Sequence, residues 1–119
     1  MYFKQITGKL GEDLACAYLK KLGYILISRN FSCYQGEIDI IAKDTFKNEL
    51  VFIEVKTRTN FNYGFPIDAV NTSKQKHLLK ACQYYLYKHH IVNLFVRIDV
   101  IEVFIRDGIP HIRHVKQIM

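Results

Sequence analysis

The sequence predicts an α/β domain in which two helices flank a mixed five-stranded sheet. Apolar residues recur at helical spacing in two separated stretches, Thr7 to Leu22 and Ser73 to His89. Five shorter runs rich in Ile, Val and Phe read as strands. The resulting order is helix, three strands, helix, two strands, and it packs most economically as a sheet covered by helices. With 119 residues, the chain reads as a single domain spanning 1–119, able to bury roughly two thirds of its unfolded surface.

In the first helix, Leu14, Ala15, Tyr18 and Leu22 follow the helical period, and Gly23 supplies a C-terminal cap. Glu12 lies in line with Ala15 and Leu19, so it borders the buried stripe. Tyr24 to Asn30 reads as the first strand, followed by a loop from Ser32 to Gly36. Glu37–Lys43 and Leu50–Arg58 are joined by a short polar link and form an antiparallel hairpin. Thr59 to Asn71 carries Asn60, Asn62, Gly64 and Pro66 and reads as a loop. Ser73 is a credible N-cap for the second helix, whose apolar stripe is Leu78, Leu79, Cys82, Tyr85 and Leu86. Leu94–Ile105 is a long strand, and the Asp107-Gly108 turn returns it to an edge strand, Ile109–Val115.

Half of the residues are hydrophobic and 24% are charged, which excludes a disordered or low-complexity chain. No apolar run reaches membrane-spanning length and the N-terminus lacks a signal-peptide core, so a cytoplasmic protein with no membrane partner is expected. Cys16, Cys33 and Cys82 are widely spaced and odd in number, so they read as free thiols rather than as disulfides or a zinc site. The net charge of +6 favours a polyanionic partner, nucleic acid above all.

The hairpin carries the chemistry. Alternation sets Glu37, Asp39 and Ile41 on one face of their strand, and Phe52, Glu54 and Lys56 on one face of the next. A symmetric hairpin puts Ile41 opposite Phe52, Asp39 opposite Glu54 and Glu37 opposite Lys56. Two carboxylates ~4 Å apart repel by about 4 kcal/mol at an effective dielectric of ~20, a large term for a small domain. A divalent cation between them reverses the sign, and Mg²⁺ suits one or two carboxylates completed by phosphate and water. Lys56 would then stand beside the phosphate or the attacking water. The same charges also fit a plainer arrangement. A two-residue slip sets Asp39 opposite Lys56 as an ordinary surface salt bridge. Lys74, early in the second helix, opposes the helix dipole and so reads either as paired with another partner such as phosphate or as an ordinary surface lysine. Arg58 and Arg97 read either as phosphate contacts or as paired structural arginines, Arg97 with Asp99. Tyr34, Phe61 and Tyr63 are loop aromatics suited to base stacking. His111 and His114, and likewise His89 and His90, do not read as ligand pairs.

Asp39 followed by Glu54-Val55-Lys56 across a hairpin resembles the PD-(D/E)xK nuclease superfamily, which includes restriction endonucleases and Holliday-junction resolvases. The blocks Gly36-Glu37-Ile38-Asp39 and Phe52-Ile53-Glu54-Val55-Lys56-Thr57-Arg58 are closer still to the YraN-like family of small bacterial endonuclease-like proteins. Further matches are Gly11-Glu12, Gly23-Tyr24, Arg29-Asn30, Phe65-Pro66, Ala69-Val70, Ser73-Lys74 and Arg97-Ile98-Asp99-Val100. The resemblance implies a restriction-endonuclease-like αβββαβ core. It implies Asp39 and Glu54 as ligands of Mg²⁺ or Mn²⁺, with Glu12 and the Val55 carbonyl completing the set, and Lys56 as the catalytic lysine. Arg58 and Lys74 would contact nucleic acid, the substrate would be structured or branched DNA in repair or recombination, and resolvase-like relatives imply a homodimer. Ile38 stands where proline often precedes the aspartate. Two other readings fit the same residues: a nucleic-acid-binding module without turnover, and an interaction scaffold in a DNA-processing complex.

Overall fold

The structure, a computed structural model, describes residues 2–58 and 72–119, with side chains of the first helix from Gly8 onward. The expected loop from Thr59 to Asn71, with Phe61 and Tyr63 and the Phe65-Pro66 and Ala69-Val70 matches, lies outside the described residues.

The elements are α1 (Tyr2–Lys21), β1 (Ile25–Cys33), β2 (Gly36–Asp44), β3 (Glu49–Arg58), α2 (Thr72–Lys88), β4 (Phe95–Arg106) and β5 (Ile109–Val115). The strands form one mixed sheet in the order β1-β2-β3-β4-β5. Only β3 and β4 run parallel, and α2 lies on the crossover between them. This is the αβββαβ core with an added edge strand that the sequence predicts.

The helices cover opposite faces. Ala15, Cys16 and Leu19 of α1 pack on Ile40, Ala42, Val51, Ile53, Ile101 and Val103. Leu78, Ala81, Cys82 and Tyr85 of α2 pack on Ile38, Ile41, Leu50, Phe52 and Ile98. Three details of the expected stripes are corrected. Leu22 and Leu79 are about half exposed, because each lies off the stripe its neighbours define, and Ala81 is buried instead. Ile38 packs on the α2 side, although simple alternation puts it with Ile40 and Ala42. Beside it, Asn30 of β1 adopts a left-handed backbone (φ 54°), a local twist that breaks the two-residue period. β1 nevertheless continues past Asn30, pairing Phe31 with Ile38, so the loop expected from Ser32 narrows to Tyr34-Gln35.

Helix ends follow local chemistry. Gly23 (φ 93°) closes α1, with Gly23 N–H donating to Lys20 and Tyr24 N–H to Leu19. His90 (φ 54°) closes α2 in the same pattern without a glycine. Gly11 lets α1 lie directly on β3: a Cβ there would meet Thr57 Oγ1 at 1.9 Å. Cys16, Cys33 and Cys82 are free, and Cys16 and Cys82 are buried. No helix among the described residues is long and apolar enough to cross a membrane.

A buried ionic cluster ties the far end of the sheet together. Arg97 donates to Asp99 (3.0 Å), Asp44 (2.9 Å), Glu49 (2.6 Å) and the Tyr24 hydroxyl (2.6 Å). The structural, Asp99-paired reading of Arg97 is the one observed. His114, on β5, meets Asp99 through Nε2 (2.7 Å) and Tyr18 through Nδ1 (3.0 Å). The neutral tautomer protonated on Nε2 satisfies both contacts. His111 is exposed, so the two histidines do not converge on one site.

Candidate active site

The β2–β3 register decides where the charges meet. Ile41 pairs with Phe52 and Ile40 with Ile53, which selects the symmetric hairpin over the two-residue slip. The ladder stops there, one pair short of Asp39 and Glu54. Instead of facing Glu54 across a ladder pair, Asp39 turns its Oδ2 to the Val55 N–H and accepts it at 2.8 Å. A carboxylate thus takes the place of a ladder acceptor at the point where the strands part.

Glu54 is 5% exposed, and Lys74 of α2 reaches down to its Oε1 at 2.7 Å. Lys56 Nζ stands 4.0 Å from the same oxygen. Lys74 thus meets a carboxylate of the hairpin, a contact that its place in the helix does not by itself predict. Glu37, Asp39, Glu54, Lys74, His77 and Leu78 line a cleft of about 200 Å³. His77 escaped the sequence reading; its signal was its position three residues after Lys74 on the same helix.

Burial, reinforced by the neighbouring Glu54 charge, pushes Asp39 up to about 7, against the pull of the Val55 N–H bond. The Glu12 charge adds to that push. Burial lowers the Lys56 pKa, and the adjacent Lys74 lowers it further. Burial opposes the charge on Lys74 too, but its bond to Glu54 outweighs that and its pKa is raised. The two ammonium groups are thus shifted in opposite directions, Lys74 up and Lys56 down.

Glu12, on α1, is held by β1. Arg29 approaches its Oε1 at 3.5 Å, and the Asn30 amide, oriented with nitrogen toward the carboxylate, donates to both oxygens at 3.1 and 3.3 Å. Arg58 Nε donates to Glu102 at 3.3 Å, and Arg113 holds the other oxygen of that fully buried carboxylate. Among the described residues, no three His, Cys, Asp or Glu side chains gather as a ready metal cage. The donor set that is present suits a hard cation needing few protein ligands. Asp39 has no ion-pair partner among the described residues, Glu54 is buried beside it, and both offer oxygen. Mg²⁺ or Mn²⁺ therefore fits the chemistry of this cleft, in competition with the ammonium of Lys74.

A model of an uncharacterised protein family, UPF0102, matches residues 11–103. The chain belongs to the UPF0102 family. That span holds Glu12, both hairpin strands, α2 and most of β4. A UPF0102 protein of Clostridium botulinum (strain 657) is 50% identical over 105 residues, covering 87% of this chain and 84% of the relative. A UPF0102 protein of Caldicellulosiruptor saccharolyticus is 43% identical over 101 residues, 85% and 84% of the two chains. One from Caldanaerobacter subterraneus is 43% identical over 102 residues, 86% and 82%. Membership bears out the family resemblance read from the GEID and IEVK blocks.

Proposed function

We propose that this chain is a metal-dependent DNA endonuclease acting on structured or branched DNA. The observation that supports it is the meeting of Asp39 and Glu54 in one cleft, with Lys74 and Lys56 both within reach of Glu54. Asp39 and Glu54 would hold Mg²⁺ or Mn²⁺, with Glu12 and the Val55 carbonyl as further candidates. When bound, such an ion polarises the phosphodiester and lowers the pKa of a bound water.

The chain's own residues do the rest. The Val55 N–H fixes the Asp39 carboxylate through Oδ2 at the edge of the cleft that Asp39 lines. Lys74, fixed as a cation, can exchange Glu54 for a phosphate oxygen. Lys56, beside Glu54 at 4.0 Å, would stand by the phosphate or the attacking water. The +6 charge draws the polyanion in, with Arg58 and Lys74 as contacts, and a homodimer would present two clefts to a branch.

One observation favours a second reading. The Lys74 ammonium already neutralises Glu54, as it would in a nucleic-acid-binding module without turnover. Cleavage of branched, single-stranded and duplex DNA separates the two. The endonuclease requires Mg²⁺ or Mn²⁺ and is abolished by Asp39→Asn and by Glu54→Gln. If wild type and both variants bind DNA equally and leave every substrate intact, the module reading stands instead.

A further inference from the structure

A second feature lies along the outer side of α2. Between Thr72 and Lys88 the helix carries Lys74, Lys76, Lys80 and Lys88 and no acidic residue. Lys76, Lys80, Tyr84 and Tyr87 follow the i, i+4, i+8, i+11 spacing of one exposed stripe, opposite the buried Leu78, Ala81, Cys82 and Tyr85. No carboxylate pairs with Lys76, Lys80 or Lys88 among the described residues. An exposed helix face whose lysines carry no carboxylate partner is suited to an anionic partner.

The aromatics give that partner its form. Tyr34, at the β1–β2 turn, is fully exposed and Tyr87 is 80% exposed. They and Tyr84 line an open cleft of about 560 Å³ with Gln35, Gln83 and Lys80. The Gln35 Oε1 atom is buried there with no hydrogen-bond partner among the described residues. An exposed aromatic platform, a lysine and an unmet amide acceptor match the needs of an unstacked nucleobase. A duplex keeps its bases stacked and offers such a platform little. From Lys74 to Tyr87 the helix rises ~20 Å, enough for about 4 nucleotides, the low end of known single-strand site sizes. Its first turn ends in the carboxylate cleft, which Lys74 and His77 line.

We propose that α2 is a single-stranded-DNA track, with Tyr34, Tyr84 and Tyr87 stacking bases, Lys76 and Lys80 on the phosphates, and the strand led toward the Asp39–Glu54 cleft. The track deepens the nuclease reading and rests on it only for what lies at its end. The substrate class it names is branched DNA with a single-stranded tail.

Anisotropy of labelled oligo-dT, a matched duplex and oligo-U, measured in EDTA, tests binding apart from cleavage. Oligo-dT is expected to bind about tenfold or more tighter than the duplex, and Tyr34→Ala and Tyr87→Ala to weaken it about 5- to 100-fold each. Tyr87→Phe keeps the ring and binds like wild type. Lys80→Ala lowers the salt slope by about 0.7. The track is overturned if duplex or oligo-U binds as well as oligo-dT, or if the tyrosine variants bind like wild type with unchanged melting temperatures. A wild type that binds through the tyrosines yet cuts nothing refutes the nuclease reading and upholds the track. Cleavage indifferent to the tyrosines does the reverse.

Discussion

Asp39 performs opposing tasks with one side chain. It caps the β3 backbone at Val55, and it stands beside a second carboxylate with no cation of its own. The amide of asparagine can keep the first contact while removing the charge. Asp39→Asn should therefore raise the melting temperature in EDTA by a few degrees, on the order of 1 kcal/mol for a domain of this size. Mg²⁺ or Mn²⁺ should stabilise wild type by mass action and leave this variant nearly unmoved. Parallel melting curves with and without metal check both. Lys74 offers the complementary case, because its ammonium sits on Glu54 where a metal would compete. Lys74→Ala is expected to bind Mn²⁺ several-fold more tightly than wild type, and Glu54→Gln more weakly, by calorimetric titration. An unchanged affinity in Lys74→Ala would remove Lys74 from the site.

At the scale of the elements, α1 is set against the sheet by a missing side chain. Gly11→Ala gains up to about 1 kcal/mol in helix propensity, yet its Cβ would fall 1.9 Å from Thr57 Oγ1. A net loss of about 1–3 kcal/mol is expected, partly relieved by Thr57→Ala in a double-mutant cycle read by urea unfolding. The sequence could not reveal this contact, since Gly11 looks like any small residue on a helix until the partner strand is known. It narrows the hairpin to two registers, the symmetric one and a two-residue slip, and the observed pairing of Ile41 with Phe52 is the symmetric one. β5 was also legible to the residue, its start fixed by Asp107 and Gly108, both at positive φ. β1 was cut short because Asn30 looks like a strand end, and only pairing with β2 carries the chain through it. Of the site, Asp39, Glu54 and Lys56 were legible from alternation. The reach of Lys74 and His77 was not, because it depends on how α2 lies across the sheet.

Across the whole molecule, one arginine joins the far ends of the chain. Through Arg97 and Asp99, Tyr24 ahead of β1, the facing ends of β2 and β3 (Asp44 and Glu49), β5 (His114), the backbone of Gln117 and, via Tyr18, α1 all meet. Arg97→Met leaves Asp99 and Asp44 buried without their countercharge, and a loss of about 3–5 kcal/mol in urea unfolding is expected. Burial works against the charge of both carboxylates, but for Asp99 the bonds to His114, Arg97 and Gln117, and for Asp44 those to Arg97 and the link backbone, hold the pKa below 3.8. The stability these two groups give is complete above that value and is lost as the pH falls through their folded-state pKa. Asp99→Asn should flatten this acid limb of the unfolding midpoint against pH. An unchanged limb would assign it to other carboxylates.

The hydrogen bond from Val55 to Asp39 has a spectroscopic consequence. An amide proton held by a carboxylate resonates away from its neighbours in a β-ladder and exchanges slowly with solvent. Anything that draws the Asp39 charge elsewhere, whether a cation or a substitution, will move that one resonance and quicken its exchange. The backbone of β3 thereby carries its own probe of what enters the cleft, readable in the intact protein before any substrate is known.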